Sequence, residues 1–110
     1  MRWRSTMDLN PADIVGEANR TAPEQPALSV LCVDDERGIL SSLRRLLRPE
    51  GYVVHMAEGG DEALALLEHT SVDLVISDMR MPGMDGAEFL ARVRSRWPAS
   101  IRMLLTGYAD

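Results

Sequence analysis

From Leu28 onward, short apolar runs alternate with stretches whose apolar residues recur every three or four positions. Residues 28–33 are nearly all apolar, which predicts a strand covered on both faces. Ile39, Leu40, Leu43, Leu46 and Leu47 then recur at helical spacing, with Arg44, Arg45 and Arg48 on the opposite face. Pro49, Glu50 and Gly51 stop that helix. Residues 52–57 read as a second strand, and Gly59-Gly60 opens a short helix carrying Ala63, Leu64 and Leu67. A third strand is expected over 72–77. Asp85 and Glu88 form an N-cap and third-position pair ahead of Phe89, Leu90, Val93 and Trp97. Pro98 closes this helix, and a fourth strand follows over 100–105.

Strands alternating with helices of this length predict right-handed βαβ units and a parallel sheet. Residues 1–27 differ. They hold Pro11, Pro23 and Pro26 and no sustained periodicity, and read as a mobile leader in which residues 13–18 form a helical turn at most. The domain proper is expected over 28–110.

The ends of the apolar runs carry the chemistry. The first run ends in Asp34 and Asp35, the third in Asp78, and the fourth in the hydroxyl of Thr106. Parallel strands share a direction, so these groups lie on one rim, where ligands of open α/β sheets bind. If strands one and three are neighbours, three carboxylates converge and raise one another's pKa unless a cation neutralises them. Mg²⁺ suits a site with few protein ligands and room for water and phosphate oxygens. A carboxylate is also a nucleophile able to form an aspartyl phosphate, with Mg²⁺ balancing charge on the transferring phosphoryl group. After Asp78, Met81 is pushed toward extended backbone by Pro82, and Pro82-Gly83 fits the middle of a type II turn. Such a loop aims the backbone carbonyl of Arg80 at the metal. Asp85 is expected to cap a helix rather than join the site.

Composition adds limits. With 110 residues, 45% apolar and 26% charged, the chain is one globular domain at most. No apolar run approaches the ~20 residues that cross a membrane, and no apolar core follows the N-terminal charges as in a secretory signal. The net charge of −5 argues against nucleic acid as a partner. The one cysteine, Cys32, lies in an apolar strand and suits a reducing compartment, so the expected location is cytoplasmic. All 12 basic residues are arginine. His55 and His69 read as structural, the seven methionines as core and loop filler.

The segments Val33-Asp34-Asp35-Glu36, Ser77-Asp78-Met79-Arg80-Met81-Pro82-Gly83-Met84-Asp85-Gly86 and Leu104-Leu105-Thr106-Gly107-Tyr108-Ala109-Asp110 resemble the receiver domain of two-component response regulators, in that family's order and spacing. The resemblance runs from Leu28 to the last residue. It implies a flavodoxin-like doubly wound parallel sheet in the order 2-1-3-4, ending before the family's fifth strand and last two helices. It implies Asp78 as phosphoacceptor, Asp35 as direct metal ligand, Asp34 as a ligand through water, the Arg80 carbonyl as a further ligand, and Thr106 as switch residue. Arg80 and Tyr108 occupy positions that tune the lifetime of the phosphoryl group in this family. The implied partner is a sensor histidine kinase or phosphotransfer protein. Arg44, Arg45 and Arg48 read most simply as a solvated helix face, and the resemblance implies a role for that helix in recognising the kinase.

The sequence departs from the family in one respect. Receivers carry a lysine at the end of a fifth strand that pairs with the phosphoryl group, and this chain has no lysine. The expectation is therefore a C-terminally incomplete receiver, with Ile101, Met103 and Leu105 on an uncovered edge that favours self-association. Two functions remain open: an Mg²⁺-dependent receiver phosphorylated on Asp78, or a non-phosphorylated pseudo-receiver that binds other proteins. A phosphohydrolase of the haloacid dehalogenase type is disfavoured, because that class wants a carboxylate where this chain has Arg80.

Overall fold

A computed structural model of the chain describes residues 27–106. The expected leader, apart from Ala27, lies outside the described residues, as do Gly107 and Tyr108. The order is β1 (Ser29–Val33), α1 (Arg37–Leu47), a 3-10 turn (Arg48–Glu50), β2 (Val53–Ala57), α2 (Gly60–Leu67), β3 (Leu74–Asp78), α3 (Gly86–Arg96) and β4 (Ile101–Leu105). The four strands are parallel and stand in the order β2-β1-β3-β4. The expected doubly wound topology is thus present, with β1 beside β3.

The pleat of β1 divides the core. Leu31 and Val33 join Val75 on one face, beneath Ala63 and Leu67 of α2 and Phe89 and Val93 of α3. Val30 and Cys32 join Ile76 on the other face, beneath Leu40 of α1. Alternate residues of a strand point to opposite faces, so a strand covered on both sides must be apolar throughout. Leu31, Cys32 and Val75 are accordingly fully buried.

β4 behaves differently. Its register pairs Ile101 with Leu74, Met103 with Ile76 and Leu105 with Asp78, which sets these three on the α1 side of the sheet. Among the described residues nothing covers them, and they are 66%, 46% and 36% exposed.

β3 starts two residues later than the sequence pattern suggests and includes Asp78. The amide and hydroxyl of Ser29 donate to the Asp73 carboxylate at 2.8 and 3.2 Å, and the Ser100 hydroxyl donates to the Val72 carbonyl at 2.7 Å. Asp73 is also bonded through its backbone, its amide donating to the Ser29 carbonyl at 3.0 Å and its carbonyl accepting the Ile101 amide at 2.9 Å, so these side-chain bonds reinforce main-chain pairing at the entry to β3. The shift carries Asp78 from the loop onto the last rung of the sheet.

Candidate functional site: an acidic rim at the strand ends

Asp34 leaves β1 with its amide still donating to the Ala57 carbonyl of β2 at 3.1 Å, so it remains tied to the sheet. Its side chain folds forward, Oδ1 accepting the Glu36 amide at 2.8 Å. That leaves one carboxylate oxygen uncommitted to this bond. Asp34 is only 6% exposed, whereas Asp35 projects into solvent and Asp78 is half-buried. Ligand oxygens of Asp34, Asp35 and Asp78 all lie within 4.8 Å of one another.

Burial holds the Asp34 carboxyl above its ordinary value, and repulsion from Asp78, Asp35 and Glu36 adds to this. The Glu36 amide opposes the shift without cancelling it. Negative charge is thus crowded and desolvated at this point. A hard, oxygen-seeking divalent cation fits such an all-carboxylate donor set.

The loop beyond Asp78 is clamped to the rim. The Met79 amide donates to the Leu105 carbonyl at 3.0 Å, and the Met79 carbonyl accepts the Gly86 amide at 2.9 Å. Met81 is buried in the core beneath α2 and α3, anchoring the loop by its side chain. Gly83 has φ +80°, the value a type II turn requires at its third position, as Pro82-Gly83 suggested. Arg80 stands exposed on this loop, two residues past Asp78.

Asp85 caps α3 as expected, Oδ1 accepting the Glu88 amide at 2.8 Å. The pair is not reciprocal, because the Glu88 carboxylate turns to Arg92 at 2.7 Å. Thr106 follows β4 directly and is exposed, and its neighbour Leu105 pairs with Asp78, so the residue stands at the same end of the sheet. His55 in β2 and His69 after α2 take no part in the acidic cluster.

Two positioning residues escape the sequence reading. A Cβ on Gly86 would lie 2.2 Å from the Asp78 carbonyl oxygen and 2.9 Å from the Met79 Cα, so α3 begins in contact with the backbone of the site. Met81 was read as generic filler, yet it fastens the loop. The glycine beside a helix cap was the available signal for the first; for Met81 its place before Pro82 indicated the backbone conformation but not the buried side chain.

The sequence pattern of the response regulator receiver domain matches residues 30–110. The chain belongs to the receiver domain family. As a receiver it is 45% identical over 82 residues to the hydrogenase transcriptional regulatory protein HoxA of Cupriavidus necator, covering 74% of this chain and 17% of that protein. It is 43% identical over 81 residues to the transcriptional regulatory protein GlrR of Escherichia coli, covering 74% and 18%. The chain therefore spans less than a fifth of the length of these relatives. Among solved structures, the signal receiver domain of an HD domain-containing protein from Pseudomonas fluorescens superposes with a TM-score of 0.75 at 42% identity, covering 81% of this chain and 65% of that one. The response regulator TrrA of Thermotoga maritima, in complex with Mg²⁺ and BeF, gives 0.71 at 39% identity, covering 74% and 71%. This receiver is a module of two-component signalling, and no helix among its described residues is long and apolar enough to cross a membrane.

Proposed function

We propose that the receiver accepts a phosphoryl group on Asp78 from a phosphohistidine of a sensor kinase or phosphotransfer protein. The reading rests above all on the convergence of Asp34, Asp35 and Asp78 within 4.8 Å at the ends of adjacent parallel strands. In this reading a carboxylate oxygen of Asp78 attacks phosphorus, the P–N bond to the donor imidazole breaks as the P–O bond forms, and the imidazole leaves neutral after taking a proton. Asp35, Asp78 and the carbonyl of Arg80 would hold Mg²⁺, and Asp34, whose Oδ1 is engaged by the Glu36 amide, would take part through water. The bound ion supplies positive charge against the transferring phosphoryl oxygens. Thr106 donates its hydroxyl to one of those oxygens, and its displacement biases the two-state surface read by a partner.

The exposed apolar row Ile101, Met103 and Leu105 supports self-association of the 110-residue chain. A cytoplasmic location agrees with a lone buried cysteine. A second reading is a receiver that binds partners without carrying phosphate. Incubation with Mg²⁺ and a small-molecule phosphodonor separates the two. Incorporation lost in Asp78→Asn supports phosphotransfer, and none in a correctly folded chain supports the pseudo-receiver.

A further inference from the structure

On the outer face of α1, away from the acidic rim, Ser41, Arg44, Arg45, Arg48 and Pro49 surround a shallow groove of about 410 Å³. Ser41, Arg44, Arg45 and Arg48 recur at three- and four-residue intervals, which places their side chains on one stripe. Other arginines of the helices find carboxylates: Arg37 meets Glu58 at 2.9 Å, Arg92 meets Glu88 at 2.7 Å, and Arg96 pairs with Glu68. Arg44, Arg45 and Arg48 make no ion pair among the described residues, although Glu50 lies two positions beyond Arg48. Arg94 is likewise without an ion pair, but it lines no cavity with another arginine.

Three like charges within two helical turns repel one another. The negative end of the α1 dipole offsets part of that repulsion, since these residues occupy the last turn and the 3-10 turn beyond it. What remains is a concentrated positive site on a chain of net charge −5. Guanidinium forks match phosphate oxygens in paired hydrogen bonds better than any other side chain. The groove volume falls in the range of about 300–1,000 Å³ typical of small-molecule sites. The Pro49 ring and the arginine stems offer apolar surface for a base or sugar beside the charges. The three arginines, with Ser41 and Pro49, line a single shallow, open groove.

We infer that this groove binds a small ligand of nucleotide size through a diphosphate group, which Arg44, Arg45 and Arg48 clamp and to which Ser41 donates a hydroxyl hydrogen bond. The inference is independent of phosphotransfer at Asp78, since none of the rim carboxylates lines the groove.

The test is titration of the full chain with ADP in EDTA, so that no metal bridges nucleotide to the acidic rim. Changes are followed at the arginine side-chain resonances, with adenosine, inorganic phosphate and polyglutamate as comparison ligands. The expected result is saturable ADP binding that adenosine does not reproduce, that inorganic phosphate reproduces at least tenfold more weakly, and that falls at least tenfold in Arg44→Gln/Arg48→Gln. Arg94→Gln leaves it unchanged, and circular dichroism of both variants matches the parent. Absence of saturation at millimolar ADP, equal binding by the double variant, or polyglutamate binding as tightly as ADP overturns the inference.

Discussion

The Cβ that Gly86 lacks would sit 2.2 Å from the carbonyl oxygen of Asp78, closer than any carbon can approach that atom. The first residue of α3 therefore packs against the backbone of the candidate phosphoacceptor, with no room for a side chain between helix start and strand end. Gly86→Ala forces this contact apart. A cost of about 1–3 kcal/mol is expected from overpacking, read as a lower urea midpoint, together with slower phosphorylation as Asp78 is displaced. Gly38→Ala is the control. It sits in the first turn of α1 with no atom within 4 Å of an added Cβ, and is expected not to lose stability.

Asp34 sets a pH dependence. Its folded-state carboxyl lies above the ordinary value of 3.8, so the folded chain binds more protons than the unfolded chain as pH rises through that region. Metal-free stability therefore falls between the ordinary value and the raised one, and is level above it. Asp34→Asn removes the repulsion while keeping an oxygen for the Glu36 amide. It should raise the metal-free melting temperature at neutral pH by a few degrees, 1 kcal/mol corresponding to about 4–8 °C in a domain of this size, and it should remove the fall in stability across that window. The parent gains stability on addition of Mg²⁺ and the variant gains much less. Calorimetry in EDTA and in Mg²⁺ measures both effects, and a variant less stable than the parent in EDTA contradicts the assignment of strain to this carboxylate.

Cys32 gives an independent probe of the core. Burial pushes its thiol up to about 11, and no surface of it is exposed. At pH 8 alkylation should be slow in the native chain, limited by opening of the β1 face beneath α1, and fast in urea. Native-state alkylation as rapid as that of the unfolded chain would place Cys32 outside a closed core.

The candidate site positions were the most legible ones. Apolar runs ending in Asp34-Asp35, in Asp78 and before Thr106 revealed both the strands and the rim, because one physical pattern, a buried parallel strand with a polar end, encodes both. The start of β3 was less legible, since it depends on Asp73 meeting Ser29, 44 residues away in sequence. Gly86 and Met81 escaped for the same reason: each acts through a contact that exists only once β3, β4 and α3 are assembled. Glu88 had the spacing of a capping partner, but Arg92 one turn later competes for its carboxylate.

The apolar row on β4 should drive association. Ile101, Met103 and Leu105 are exposed on one face of the sheet, and Met103→Glu places a charge at its centre. Sedimentation should show concentration-dependent association of the parent that weakens in the variant. A parent that stays monomeric across the accessible range contradicts self-association through this face.

Phosphorylation at Asp78 can be read from the intact mass of the folded chain after incubation with acetyl phosphate and Mg²⁺. The expected result is a single phosphoryl adduct that hydroxylamine removes, as it does from an acyl phosphate, and that is absent in Asp78→Asn and in EDTA. A folded chain that acquires no adduct, or one whose adduct persists in Asp78→Asn, contradicts it.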